Sequence, residues 1–551
     1  MFLLKSKTSK IALLTGAAVC VFATPILANN NLGLRGPQQA PQAYGMQYAG
    51  NAYVAPQAQP YYMGHAVAGT YQAPASVYGQ NYVPAPQQIP VGNYQYASLN
   101  SPNYGLRGAS RPQNRSFNMG GVTVKTSVAH TGRMLDWQEN TTGKTVSLLA
   151  NRANGTLDPN SLYIGGGIKG GLMWQQTDTT GLFPILSRFP NASERTDDQA
   201  GVFAINNAAL SFTATFGDWT TIYMQPEYSE TDFPVNQDEM QLREAYVVFG
   251  NLQKSPFYAA FGRKTIDFGN FDGYNAFTQT EAQHYFWAHS DQPVLELGYY
   301  NNGWKLSASA FSAGRQLRTA YAGERNNIGN YAASIEKEFI LGGGGSFTLG
   351  TSYLHDTIYR NNFTAHTFAL IDQGTPPANF IEYRNSAVDV FAEYNSPFFD
   401  AMVEYTTTLE PWAAAIPQDA AGNVDPGYLI DPLGSQSDLN NISFDQNLEV
   451  LVAQARIKPM LPNGRRMAIS AVGSWGVIGD DFVGVGAGGQ PTTWKNNQQH
   501  ALSLEYPVND FLDIGAEYVY NKGFIPFVAP QLISNDDVIA HAVNVGFKAR
   551  F

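Results

Sequence analysis

The stretch Val543-Asn544-Val545-Gly546-Phe547-Lys548-Ala549-Arg550-Phe551 ends the chain on an aromatic residue. Counting back from Phe551, the residues Ala549, Phe547, Val545 and Val543 are apolar, while Arg550, Lys548, Gly546 and Asn544 between them are charged, small or polar. Successive side chains of an extended strand point to opposite faces, so one face of this strand suits hydrocarbon and the other, with Asn544 on it, suits water. An ordinary half-buried strand would alternate in the same way. The remainder of the chain decides in favour of a lipid-exposed strand of a transmembrane barrel.

The same alternation, followed upstream, gives strand candidates at roughly 161–177, 201–216, 218–228, 239–250, 256–264, 293–301, 303–312, 328–340, 345–356, 384–396, 398–409, 447–458, 464–477, 498–507, 510–521 and 538–551. That is about sixteen, an even number, as closed bacterial barrels require. Tight links such as Phe216-Gly217-Asp218-Trp219 and Asn301-Asn302-Gly303 alternate with long ones at about 178–200, 229–238, 265–292, 313–327, 357–383, 410–446, 478–497 and 522–537. The tight links are expected on the periplasmic side and the long ones outside the cell. The expected fold class is therefore all-β, a transmembrane antiparallel β-barrel of about sixteen strands with a disordered N-terminal extension.

Composition agrees. The chain is 44% hydrophobic but only 14% charged, against about 25% charged in a soluble domain, and its mean hydropathy is -0.24. Apolar residues are dispersed by alternation rather than clustered. A net charge of -11 argues against nucleic acid as a partner. Aromatic residues at the tight-link ends, Trp219, Trp304, Phe398, Phe399, Phe511 and Phe551, fit an interface girdle facing outer-membrane lipid. A terminal Phe closing an alternating strand also resembles the signal read by the barrel-assembly machinery, which makes that machinery an expected partner through Phe551.

Residues 1–28 read as a signal peptide, with Lys5, Lys7 and Lys10 ahead of a short apolar run and Ile26-Leu27-Ala28 as the cleavage site. Cys20, the sole cysteine, lies inside it, so the mature chain is expected to hold no disulfide. Residues 29–115 form a Pro-, Gln- and Tyr-rich extension without Asp, Glu or Lys, which cannot bury enough apolar surface to offset its own ordering. This extension is either a flexible spacer or a segment that binds peptidoglycan or another envelope protein. Residues 116–160 carry strand-like pieces at 121–128 and 144–149, and are either a small periplasmic segment or a plug in the barrel of residues 161–551.

Alternation also assigns a lumen wall. Opposite the apolar Leu297, Ala308, Ile335, Val390, Val403, Leu504 and Ile514 stand Glu296, Lys305, Glu336, Asp389, Glu404, Glu505 and Asp513. Glu244, Glu393 and Glu517 add to the acidic majority, and Lys305, Arg456, Lys458, Lys548 and Arg550 form a basic minority. Arg or Lys facing lipid at midplane costs about 2–4 kcal/mol, which fixes the register. An acidic wall predicts cation preference. Loop 265–292 carries Asp267, Asp272, Glu281, His284, His289 and Asp291, and its likeness in position to the third long loop of other sixteen-stranded porins implies that it folds inward as a constriction. No spaced Cys or His cluster, nucleophile elbow or phosphate loop occurs, so neither a cofactor nor enzyme chemistry is expected.

Arg243 to Leu252, Ser255 to Lys264 and Asp267-Phe268-Gly269-Asn270-Phe271 resemble a strand pair and following loop of LbtU-type siderophore porins. The resemblance implies a porin-like channel or receptor for small solutes, such as iron-siderophore complexes, taken up without an energy-coupled plug. Loop arginines (Arg188, Arg195, Arg315, Arg318, Arg325) and loop aromatics (Phe286, Trp287, Trp412, Trp494) are candidates to capture such a ligand. The competing class is a structural or adhesive surface protein, to which the tyrosine-rich extension and long loops would suit equally well.

Overall fold

The computed structural model describes residues 116–119, 122–135, 138–178, 197–230, 240–312, 328–355, 382–383, 386–409, 414–415, 447, 449–476, 484–485, 491–492, 498–522 and 539–551. The expected signal peptide and extension, residues 1–115, and most of the long loops lie outside them.

A short antiparallel hairpin comes first, β1 (Ser116–Met119) and β2 (Val122–Lys125), then two helices, α1 (Val128–Leu135) and α2 (Lys144–Ala153). Sixteen long strands follow: β3 (Ser161–Thr177), β4 (Gln199–Phe216), β5 (Thr220–Tyr228), β6 (Gln241–Gly250), β7 (Phe257–Thr265), β8 (His289–Asn301), β9 (Trp304–Ser312), β10 (Ile328–Ile340), β11 (Ser346–His355), β12 (Ala387–Asn395), β13 (Phe399–Thr408), β14 (Glu449–Ile457), β15 (Ala468–Gly476), β16 (Gln498–Pro507), β17 (Leu512–Lys522) and β18 (Ile539–Arg550). A third helix, α3 (Glu281–Phe286), interrupts the long connection between β7 and β8. Each long strand pairs antiparallel with its sequence neighbour, and β18 closes on β3 from Ala540↔Thr177 to Arg550↔Gly167. The result is a closed sixteen-stranded antiparallel barrel. β2 joins it in parallel at the start of β3, with Thr123 opposite Ser161.

The pleat sorts side chains as the alternation required. On β8, Leu297 is 58% exposed and its neighbour Glu296 1%. The outer face carries Phe203, Leu210, Met224, Ile335, Val403, Leu504 and Val545, all exposed. Trp219, Trp304, Phe398, Phe511 and Phe551 are exposed at the short-turn end. A closed sheet satisfies every backbone group internally while presenting hydrocarbon outward, which is the only way strands cross a bilayer. The chain is thus a bacterial outer-membrane barrel. Among the described residues no helix is long and apolar enough to cross a membrane, which has no bearing on a barrel.

The closing seam depends on a glycine. Phe551 N–H donates to Gly166 O at 2.9 Å, and a Cβ on Gly166 would lie 2.7 Å from the Phe551 ring. The terminal ring lies against the stretch of β3 that Gly166 leaves without a side chain.

One expectation is corrected. Residues 144–149 are not a strand but the first part of α2. Val146, Leu149, Ala150 and Ala153 fall at helical spacing, which puts them on one face. That face packs, with Met134, Leu148 and Leu157, against Tyr163, Tyr223, Tyr246, Val248, Tyr258, Ala260 and Tyr300, which the pleat turns inward. The barrel therefore encloses an apolar core. Each large side chain buried there contributes about 1.5–3 kcal/mol.

Candidate functional site

Residues 266–288 leave β7 and fasten to the inner faces of strands on the far side of the barrel. Gly269 N–H donates to Ser352 Oγ of β11 at 2.7 Å. Asn270 and Phe271 N–H donate to Glu404 Oε1 of β13 at 2.9 and 2.8 Å. Tyr274 N–H meets Gln454 Oε1 of β14 at 2.9 Å, Gln454 Nε2 donates to Asp272 O at 2.6 Å, and Ser470 Oγ of β15 donates to Tyr274 O at 2.6 Å. Phe277 and Thr278 N–H donate to the Glu517 carboxylate of β17 at 3.0 and 3.1 Å. Thr278 Oγ1 joins the same carboxylate, and Asn544 of β18 donates to both at 3.0 and 3.2 Å. Glu281 N–H reaches Ser474 Oγ of β15 at 3.3 Å.

A loop inside a barrel loses water from its backbone, so each buried N–H needs an acceptor. The wall supplies carboxylates and hydroxyls at those points, and hydrogen bonds to a charged acceptor contribute about 1.5–3 kcal/mol each. Aromatic anchors reinforce them. The Arg243 guanidinium lies 4.3 Å from the Trp287 ring centroid, and that of Arg456 lies 4.3 Å from Tyr274. Phe286 and Trp287, candidates for external ligand capture, are buried within the barrel. Trp412, Trp494 and the five loop arginines lie outside the described residues.

The segment before the barrel holds the same loop from below. Asn140 and Thr141 N–H donate to the Asp272 carboxylate at 2.9 and 2.8 Å, and Thr142 Oγ1 donates to Gly269 O at 3.0 Å. Gln138 Nε2 donates to Phe277 O at 2.9 Å, and its Oε1 accepts from Lys169 of β3 at 2.7 Å. Burial and the nearby Glu393 carboxylate push Asp272 well above the usual carboxylate range. At the short-turn end Arg152 donates to Gly217 O at 2.5 Å and Gln253 to Ala153 O at 2.6 Å. The segment is thus pinned at the short-turn rim.

Most of the remaining wall charges sit in ion pairs. Lys305 bridges Asp267 at 2.8 Å and Glu336 at 2.7 Å, Lys548 meets Glu505 at 2.8 Å, and Lys144 of α2 meets Glu244 at 3.3 Å. Lys264 pairs with Glu296 and Arg550 with Asp513. Arg456 contacts Glu139 and, at 2.9 Å, Asp400, which Lys458 also meets at 2.7 Å. Glu393 Oε1 accepts from the Tyr274 hydroxyl at 3.3 Å, and Asp389 Oδ2 from Thr406 Oγ1 at 2.6 Å. The side chains of His284, His289 and Asp291 lie outside the described residues. Among the described residues no group of three or more His, Cys, Asp or Glu side chains is placed to hold a metal.

Reading by residue type found the wall carboxylates and their basic partners Lys305, Lys548 and Arg550, but missed Lys264, which pairs with Glu296, and Asp400, which holds Arg456 and Lys458. Gln454, Ser470 and Ser474 are ordinary strand residues whose role appears only when the loop lies against them. Asn544 was placed on the wet face by the alternation of the last strand, and the same alternation beside Arg456 is the signal that could have found Gln454.

A family model described as "Protein of unknown function (DUF3573)" matches residues 145–324, about a third of the chain. No curated protein matches. Among solved structures, the anion-selective porin from Comamonas acidovorans is similar over 71% of this chain and 99% of its own, at 10% identity and a TM-score of 0.43. OprB of Pseudomonas putida gives 74% and 97%, 11% and 0.42. The outer-membrane channel DcaP of Acinetobacter baumannii gives 71% and 97%, 14% and 0.40. These likenesses carry no functional weight; the barrel rests on its own strand register.

Proposed function

We propose that the chain is a gated outer-membrane channel for small solutes, with iron-siderophore complexes as the class that its resemblance to siderophore porins suggests. The observation that carries this reading is loop 266–288, fastened across the lumen to β11, β13, β14, β15, β17 and β18. A loop fastened across the lumen narrows it, and in a channel such a constriction sets selectivity. Segment 122–160 acts as a second, periplasmic plug. Residues 1–28 are its signal and 29–115 a tether.

Planar-bilayer recording of the purified protein tests the reading, together with liposome uptake of a radio-iron siderophore complex. Channel steps that grow when residues 272–287 are deleted support it. Absence of steps from both proteins would leave the structural or adhesive reading in its place.

A further inference from the structure

Directly extracellular to the loop's attachment on Glu517 and Asn544, the inner wall changes character. Ser474, Gln499, Asn521, Ala540 and Thr177 stand opposite one another across five adjacent strands, β15, β16, β17, β18 and β3. One inward step below, Ala501, Val519, Ala542, Gln175 and Ala200 form the next row. Gln499, Asn521 and Gln175 are 1%, 1% and 0% exposed. Both polar atoms of each carboxamide lack a hydrogen-bond partner.

The loop brings a fourth such group. Glu281 donates its N–H to Ser474 in the same row, is 0% exposed, and neither carboxyl oxygen has a partner. Orphaned polar groups at this depth cost about 1–3 kcal/mol each, and native barrels rarely keep four together without something to bind.

We propose that these rows form a binding subsite for a neutral, hydroxyl-rich solute, one of sugar or polyol chemistry, entering from the extracellular side. The proposal rests on the channel reading above and names the chemistry of what it admits. A carboxamide offers both a donor and an acceptor, and so does a hydroxyl, so one sugar ring can satisfy Gln499 and Asn521, which stand opposite each other on adjacent strands, and a longer polyol can continue along the row toward Gln175. No basic side chain stands in either row, which disfavours an anion. Burial pushes Glu281 up to about 8, leaving it an uncharged donor and acceptor at neutral pH and disfavouring a simple cation.

The test uses full-length protein in liposomes and three probes of one size: glucose, glucosamine and glucuronate. Glucose is expected to swell the liposomes fastest. The double variant Gln499→Leu, Asn521→Leu should lower its rate about 25-fold, about fivefold for each of the two lost hydrogen bonds, without changing the charged probes. Gln499→Asn with Asn521→Gln should retain most of the preference. Should the leucine variant fail to insert, interruption of potassium current by glucose in the unmodified protein reads the same site. Equal rates for all three probes, with potassium conductance present, would overturn the subsite and leave the channel. Fastest entry of glucosamine would overturn it in favour of a cation held by Glu281. Absence of conductance and swelling alike would overturn the subsite together with the channel.

Discussion

Thr278 and Glu517 are 239 positions apart in sequence, yet the Thr278 amide donates to the Glu517 carboxylate at 3.1 Å across the barrel interior. The bond ties a loop that leaves the barrel after β7 to the wall beside the closing seam. It makes the lumen a product of the loop as much as of the strands.

Removing that acceptor should loosen the loop. Glu517→Ala strands the N–H groups of Phe277 and Thr278, each at a cost of about 1–3 kcal/mol, more than enough to populate a released loop. Larger or flickering conductance and faster proteolysis within 266–288 are the expected outcomes. Glu517→Gln keeps an acceptor oxygen and should lie between. Unchanged conductance in Glu517→Ala would show that the loop is held elsewhere.

The barrel was legible in the sequence because its signal repeats with period two. Segments 161–177, 328–340 and 498–507 coincide with β3, β10 and β16, and most other ends differ by one to four residues. The lumen filling was harder to read. Alternation shows that Glu404 and Glu517 point inward, but water and a loop amide are equally good partners for a carboxylate. One signal was present and unread: Tyr246-Val247-Val248-Phe249 and Tyr258-Ala259-Ala260-Phe261 are apolar on both faces, as strands covered on both sides are. Those inward faces are where α2 packs. Helix α2 itself was misread because ten residues with Thr145 and Val146 early in the run give a weak helical period against a local β preference.

The closing strand allows a sharper comparison than its two faces suggest. Phe551→Ala removes the ring from Gly166 and from the outer girdle, and should lower the amount of protein reaching the outer membrane. Gly166→Ala should do the same, because its Cβ would meet that ring at 2.7 Å. Asn544→Ala, on the wet face, is not expected to be silent. Its amide bridges Glu517 and Thr278, so insertion should persist while conductance rises. Equal yields for Phe551→Ala and Asn544→Ala would sink the assembly argument.

Orientation follows from where the short turns lie. The turns at Gly217 and Asn302 share an end of the barrel with the pinned segment, so tags at 217 or 302 should be silent on intact cells. Tags at 365 or 425, in long connections, should be labelled. Labelling at 302 from outside would invert the topology.

Acid should release the periplasmic segment. His130 of α1 is buried, and its Nε2 lies 2.8 Å from Thr213 Oγ1 of β4. Desolvation, followed by the charge of Arg133, lowers it from 6.5 to about 3. A histidine depressed in the folded state binds fewer protons there than in the released segment. Docking is therefore strongest above pH 6.5 and weakens as pH falls toward 3. At pH 5 the released form is mostly protonated while the docked one is not, a loss of about 2 kcal/mol relative to pH 8. Hydrogen exchange at the α1 amides, corrected for intrinsic rates, should accelerate accordingly between pH 8 and pH 5. His130→Gln should flatten that slope while leaving β4 and β5 protected. A slope that survives the substitution would assign the acid response to another group.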